Sequence, residues 1–365
     1  MSGMQARLSM RTTHKTAALD QAAFRSLVLG AALGGLILVA LFSLAIGPTG
    51  ISIDSLPRAL SATFGGSTDV EALRDRLVLL ELRLPRTLIG AVVGASLAVS
   101  GAMMQGMFRN PLADPGLVGV SAGAALAAVA TIGLSNGAMA WWHALLGIYA
   151  VPVAAFVGGI VTTALLVGVA NRAGEVATAT LLLAGIAFGA LAGAASGLIA
   201  YASNDQQLRD LTLWTMGSLS GASWEKVMAI APFAIVLLLC LPLLVRSLNG
   251  LLLGEAEAFH LGVDVTRAKY LIVALTAAGV GSSVAVAGVI GFVGIVVPHF
   301  VRLLCGPDHR IVLPASALIG ALVLLSADVL ARMLVAPAEL PIGILMALIG
   351  APVFLHLVLQ RGVSG

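Results

Sequence analysis

Few side chains in this chain of 365 residues are equipped to make or break bonds. Its lysines are Lys15, Lys226 and Lys269, and none sits in a GxxxxGK[ST] loop, so no nucleotide phosphate is cradled that way. Histidine and cysteine show no metal-ligand spacing. Cys240 and Cys305 lie in or beside apolar runs and read as small buried hydrophobes rather than a disulfide framework. That leaves ionisable groups in apolar surroundings: His299, Arg302 and Asp328. Such groups relay protons in an ion-coupled carrier, or they serve as polar glue between helices and anchors at helix ends.

Two short segments add recognition chemistry. Residues 204–216 begin polar (Asn204-Asp205-Gln206-Gln207) and turn amphipathic. Arg209 there could grip an anionic substrate group with two parallel bonds, or pair with Asp205 or Asp210. The segment from Gly254 to Asp264 reads as a short helix carrying Glu255, Glu257, Phe259, His260 and Leu261 and closed by Gly262. It is too short and polar to span. Leu253, Ala256, Phe259 and Leu261 exposed to the cytosol need a groove to enter. Lying on lipid is disfavoured by its acidic residues, because the cytoplasmic leaflet is itself negative.

The elements that must position these residues are membrane spans. The chain is 59% hydrophobic and 10% charged, with a mean hydropathy of +1.04. Soluble domains carry about 25% charged residues. The pI near 9.2 does not indicate nucleic acid, since most Lys and Arg flank apolar runs. Uncharged runs at 27–48, 87–108, 176–201, 227–245, 311–335 and 341–360 give six spans. Residues 115–171 hold two more, broken near Asn136–His143, where Trp141 and Trp142 form an interfacial belt. Residues 270–301 also hold two, but 32 residues are too few for both to be complete. The expected break is Gly288-Val-Ile-Gly291-Phe-Val-Gly294.

The count is ten, in an all-α polytopic chain. The first apolar run is too long for a signal-peptide core of about 7–15 residues, so it reads as an uncleaved span. Lys and Arg number 12 on the segments assigned to the cytoplasm and 8 outside, five of the latter in the long loop 49–86. This places both termini in the cytoplasm. The expected organisation is a tail over 1–26, one transmembrane unit over 27–360 with its cytoplasmic helices at about 250–265, and a tail over 361–365.

Span two, Thr87–Phe108, is rich in Gly, Ala and Ser, which lets other helices approach closely. Its octet Gly94–Gly101 matches Gly281–Gly288 at five of eight positions. The two octets lie five spans apart. Either two small-residue helices agree by chance, or the chain is an inverted 5+5 repeat, as in transporters with a central pathway.

The segments LRLPRTL…SGAMMQGMFRNPLADPGLVGVSAGA, LLLAGIAFGAL, LWTMGSL, GFVGIVVPHFVRLL and AELPIGI, spread over about residues 28–360, resemble the permease subunits of type II ATP-binding-cassette importers for siderophores, haem and vitamin B12. QQLRDLTLWTMGSLSGAS resembles the haem-import permeases in particular. The resemblance implies the type II importer permease fold and a homodimer in the bacterial inner membrane. It also implies two cytoplasmic ATPase subunits and a periplasmic substrate-binding protein, with no permanently bound cofactor and no catalytic residue in this chain. Haem would be the transported substrate, and ATP would act only through the partner. Glu255–Val263 matches the coupling helices that enter the ATPase. Arg83, Arg86 and Arg332 match external arginines that meet glutamates of the binding protein. Thr178 and Thr180 match the cytoplasmic gate region, with Ala179 between them a departure. His299 and His309 fall in motifs shared with siderophore permeases. A ferric-siderophore or cobalamin permease is the alternative within the family, and an ion-coupled secondary transporter the alternative outside it.

Overall fold

The computed structural model describes residues 2–47, 70–172, 175–336 and 338–362. The first residues of the loop 49–86 and the last three of the tail 361–365 lie outside them. Helices in chain order are α1 (Ser2–Ala45), α2 (Val70–Leu77), α3 (Leu84–Met107), α4 (Val120–Gly133), α5 (Ala140–Leu146), α6 (Ala150–Ala170) and α7 (Thr178–Ala202). Then follow α8 (Asp205–Thr215), α9 (Trp224–Leu253), α10 (Glu255–His260), α11 (Val265–Ala287), α12 (Val293–Cys305), α13 (His309–Leu334) and α14 (Ile342–Gly362). Between α6 and α7 a two-residue antiparallel pair, β1 (Asn171–Arg172) with β2 (Glu175–Val176), closes a tight turn. Seven of the described helical stretches are long and apolar enough to cross a bilayer, and α4, α12 and α14 are shorter apolar helices. Together they make ten.

Burial ranks the spans. The apolar windows of α3 and α11 are each 78% buried, against 11% for α1 and α7. The two central helices are those that carry the matching octets. Close approach explains why small residues are needed there: a Cβ on Gly94 would fall on the Gly320 carbonyl of α13, and one on Gly101 on the Gly294 carbonyl of α12. α1 and α7 instead expose Leu27, Leu38, Leu183 and Leu198, as helices do whose outer face meets lipid or a partner.

The two short helices also correspond. α4 has 14 residues and α12 has 13, and they are the third and eighth spans, five apart. Each is entered through irregular backbone that ends in a left-handed residue, Gly119 (φ 79°) before α4 and Phe292 (φ 67°) before α12. The first entry is a 3₁₀ turn, Pro115–Val118, capped by Asp114, whose side chain accepts from Gly116 N at 2.6 Å. The second is the break 288–292, inside the glycine run expected from sequence. These paired irregularities give the inverted 5+5 repeat a structural signature beyond sequence likeness.

α2 runs into α3 through one π turn, Val78–Arg83. The wider turn re-aims the side chains around it, and Arg83 and Arg86 flank its end.

Candidate coupling, gate and docking sites

The end that carries α10 is built on a glycine. At Gly254 (φ 133°) the chain turns from α9 into α10, and a Cβ there would meet the Glu257 carboxylate. Ala258 and Val263 pack inward against Gly250. Phe259 is 70% exposed, and Leu253, Ala256 and Leu261 are exposed as well. His260 and Gly262 are also exposed. Open hollows of about 740 Å³ and 550 Å³ flank this ridge. The first is lined by Val176, Glu255, Phe259 and Lys269, and the second by Arg246, Asn249, Leu253 and Arg310. Glu255 is not free: Lys269 Nζ lies 2.6 Å from its Oε2.

A polar frame holds the stem of this ridge. Asn249, near the end of α9, accepts from His309 N (2.9 Å) and Nδ1 (2.8 Å) through Oδ1, and donates to Asp308 Oδ1 (2.8 Å). Arg302 donates to His309 Nε2 at 3.2 Å, to the Ala102 carbonyl at 2.9 Å and to Gln105 Oε1. A guanidinium only donates, so His309 carries its proton on Nδ1. Burial works to raise the Asp308 carboxyl, but bonds from Arg310 N and the Asn249 amide outweigh it and hold the group below the usual range. In the turn at Asp114 burial prevails over the bond from Gly116 N, and that carboxyl is pushed up.

Thr178 and Thr180 are half-buried at the start of α7, directly after buried Val176. Further along, Gly185 packs on the Leu117 carbonyl of the 3₁₀ turn. Beyond it Gly189, Gly193 and Gly197 repeat every fourth residue, and a Cβ on any of them would meet nothing within 4 Å.

At the opposite end each of the three arginines is partnered within the chain. Arg83 is 4% exposed and donates to the Leu44 carbonyl at 2.7 Å. Arg86 binds Asp328 (2.9 Å) and Glu339 (2.8 Å). Arg332 binds the other oxygen of Asp328 at 3.1 Å and Ser43 Oγ at 2.9 Å. The reason is Asp328: a fully buried carboxylate within a span requires cationic partners. Asp328 is therefore a counter-ion between two arginines. A cavity of about 170 Å³, bounded by Gly47, Arg83, Arg86, Ser220, Arg332 and Glu339, lies against the cluster.

Arg209 is exposed on α8 and donates to Gln206 Oε1 at 2.9 Å, rather than pairing with Asp205 or Asp210. The capping box of Asn204 and Gln207 starts that helix. The loop after it joins two distant segments: Ser218 N donates to the Ala287 carbonyl (2.8 Å), Ile342 N to Gly217 O (3.1 Å) and Gly343 N to Met216 O (3.1 Å). LWTMGSL, the glycine break and AELPIGI thus meet at one place. His143 Nε2 donates to the Thr131 carbonyl at 3.0 Å.

Sequence reasoning passed over Lys269, Asn249 and Gln105. Lys269 carried a signal, since a lysine entering an apolar span must find a partner.

Residues 35–360 match the FecCD transport family. The chain is 49% identical over 282 residues to the hemin transport system permease of Yersinia pestis, covering 77% of this chain and 83% of that one. It is 45% identical over 282 residues to a cobalamin import permease of Halobacterium salinarum (77% and 73% covered). A vitamin B12 import permease of Escherichia coli is 43% identical over 291 residues (79% and 86%). Among solved structures, a metal-chelate-type ABC transporter in an inward-facing conformation superposes with a TM-score of 0.78 at 32% identity, covering 91% of this chain and 99% of that one.

Proposed function

This chain belongs to the FecCD transport family, and we propose that it is the permease subunit of an ATP-binding-cassette importer that moves haem from a periplasmic binding protein across the bacterial inner membrane into the cytoplasm. The observation that carries the importer reading is the α10 ridge. Exposed Phe259 and Leu261 between two open hollows have the shape of a helix made to enter a groove, and the acidic flank does not suit an anionic membrane surface. The chain lacks a phosphate loop, so ATP would be hydrolysed by two cytoplasmic partner subunits seated at 250–265. Both termini, including the segments 1–26 and 361–365, would then lie in the cytoplasm, with 27–360 as one membrane unit.

Haem as substrate is supported by likeness to the hemin permease and by the segment 206–223. Cobalamin is the second reading, because the cobalamin permeases stand only a few per cent lower in identity. The loaded binding protein would dock over the outer arginine cluster. Its glutamates would reach Arg83, Arg86 and Arg332 through the small cavity and compete with Asp328 and Glu339 for them. Arg209 on exposed α8 would meet the haem propionates at the mouth. Two copies would pair so that the glycine face of α7, left open within one copy, borders the path between them. Thr178 and Thr180, at the inner end of the same helix, would form the gate. ATP binding would move α10 through Glu255, Glu257, Phe259, His260, Leu261 and Gly262, and the gate would answer.

The test is ATP hydrolysis by the reconstituted complex with its binding protein loaded in turn with haem, ferric siderophore or cobalamin. Haem-loaded protein is expected to stimulate hydrolysis. Stimulation by cobalamin or siderophore alone would sink the haem assignment. Uptake driven by a proton gradient, with no ATPase copurifying, would favour an ion-coupled carrier.

A further inference from the structure

We infer that Lys269 is the link that passes movement from the ATPase-facing helix α10 to the inner gate, a positioning role distinct from the surface that meets the ATPase. The inference rests on the coupling and gate assignments above and adds a residue that belongs to neither.

Lys269 lies in the first turns of α11 and is 4% exposed. Its Nζ donates to Glu255 Oε2 at 2.6 Å and to the Val176 carbonyl at 3.0 Å. The two acceptors sit on different parts. Glu255 is the first residue of α10. Val176 ends the β1–β2 turn and stands two residues before Thr178, where α7 begins. One ammonium thus joins the coupling helix, the gate entrance and one of the two most buried spans.

The chemistry makes the link stiff. An ammonium has three donors and no acceptor, so a buried one must keep oxygens around it. Its carboxylate partner makes a short, charge-assisted bond. If α10 shifted and took Glu255 with it, the lysine would either follow or stay behind as an uncompensated buried charge, which is strongly disfavoured. A lysine that follows releases or pulls the Val176 carbonyl, and with it the start of α7. Arg246 also holds α10, through the Leu261 carbonyl at 3.0 Å. But Arg246 belongs to α9, which leads directly into α10 and moves with it. Lys269 instead ties α10 across to another membrane helix and to the gate turn.

Lys269→Met keeps the length of the side chain and removes its donors. In proteoliposomes holding the complex with its copurified ATPase and haem-loaded binding protein, ATP hydrolysis is expected to persist while haem imported per ATP falls about ten-fold. Lys269→Arg, which keeps charge and several donors, is expected to restore most of that ratio. A lysine that serves only folding would lower assembly and both rates together and leave haem per ATP unchanged, and that result overturns the inference. If the Met variant does not assemble, Lys269→Gln, which loses the charge but keeps an amide donor, takes its place. The ratio is again expected to fall with ATPase still bound, and an unchanged ratio overturns the link. Phe259→Ala with Leu261→Ala tests the reading beneath. Retained ATPase binding and import in that double variant removes the coupling surface itself. Lost ATPase binding there, with an unchanged ratio in Lys269→Met, removes the lysine link alone.

Discussion

Asp328 is the residue on which the arginine cluster depends. Its two oxygens take Arg86 at 2.9 Å and Arg332 at 3.1 Å, and its side chain has no exposure. Removing one member of a buried ion pair leaves the other charge uncompensated and typically costs about 3–5 kcal/mol. Here one substitution takes the ion-pair partner from Arg332 and leaves Arg86 with Glu339 alone. Asp328→Ala should therefore lower the thermal midpoint of the purified protein in detergent more than Arg86→Ala does, since Arg86→Ala leaves Asp328 still paired with Arg332. Midpoints for both variants equal to that of the unsubstituted protein would show that the cluster does not bear on stability. The sequence marks Asp328 as an ionisable group in apolar surroundings, but not which residues pair with it. Arg86 and Asp328 are 242 residues apart, and an arginine after an LRLP motif looks the same whether it faces a partner or a carboxylate of its own chain. Lys269 escaped for the same reason: its acceptors, Glu255 and the Val176 carbonyl, come from separate elements, and a backbone carbonyl leaves no mark in sequence.

Helices were far more legible than contacts. The uncharged runs located all ten spans, because hydrocarbon thickness sets their length and excludes charge whatever the packing. The break in 270–301 followed from length alone, and the structure puts it at 288–292. The sequence did not reveal that α4 is the counterpart of α12. The 3₁₀ entry at Pro115–Val118 and the left-handed residues Gly119 and Phe292 become comparable only as backbone geometry. The small residues of α3 mark a packing surface, and the structure identifies what they pack on. Gly101 supports a sharp prediction at this scale. An added methyl would fall on the Gly294 backbone, which cannot rotate away, so α3 and α12 would have to separate. Gly101→Ala should reduce folded yield and thermal stability by about 1–3 kcal/mol, the usual cost of overpacking. Gly34→Ala in α1, where the same methyl meets nothing within 4 Å, should leave both unchanged in the same melting assay.

For the whole molecule the open question is what the uncovered face of α7 is for. A helix that only faced lipid would have no use for Gly189, Gly193 and Gly197 at intervals of four, since larger apolar side chains are better helix formers and equally at home in hydrocarbon. Among the described residues nothing lies within 4 Å of a Cβ placed on these glycines. The stripe therefore either admits a second copy closely or leaves room for something to pass. Position separates the two. α7 starts at the β1–β2 turn, where the gate is proposed, and runs the full span, while Lys269 joins that turn to α10. A helix tied at one end to the proposed coupling helix suits the wall of a path better than a fixed seam. Gly193→Phe is accordingly expected to fold, to pair with its second copy and to keep its ATPase. Haem import should fall about ten-fold or more, because the bulky ring stands in the path. Native mass of the purified complex and uptake into proteoliposomes are measured on the same sample. Loss of the dimer would instead make the stripe a packing seam. An intact dimer with full uptake would place the path elsewhere, on a face that α7 does not form.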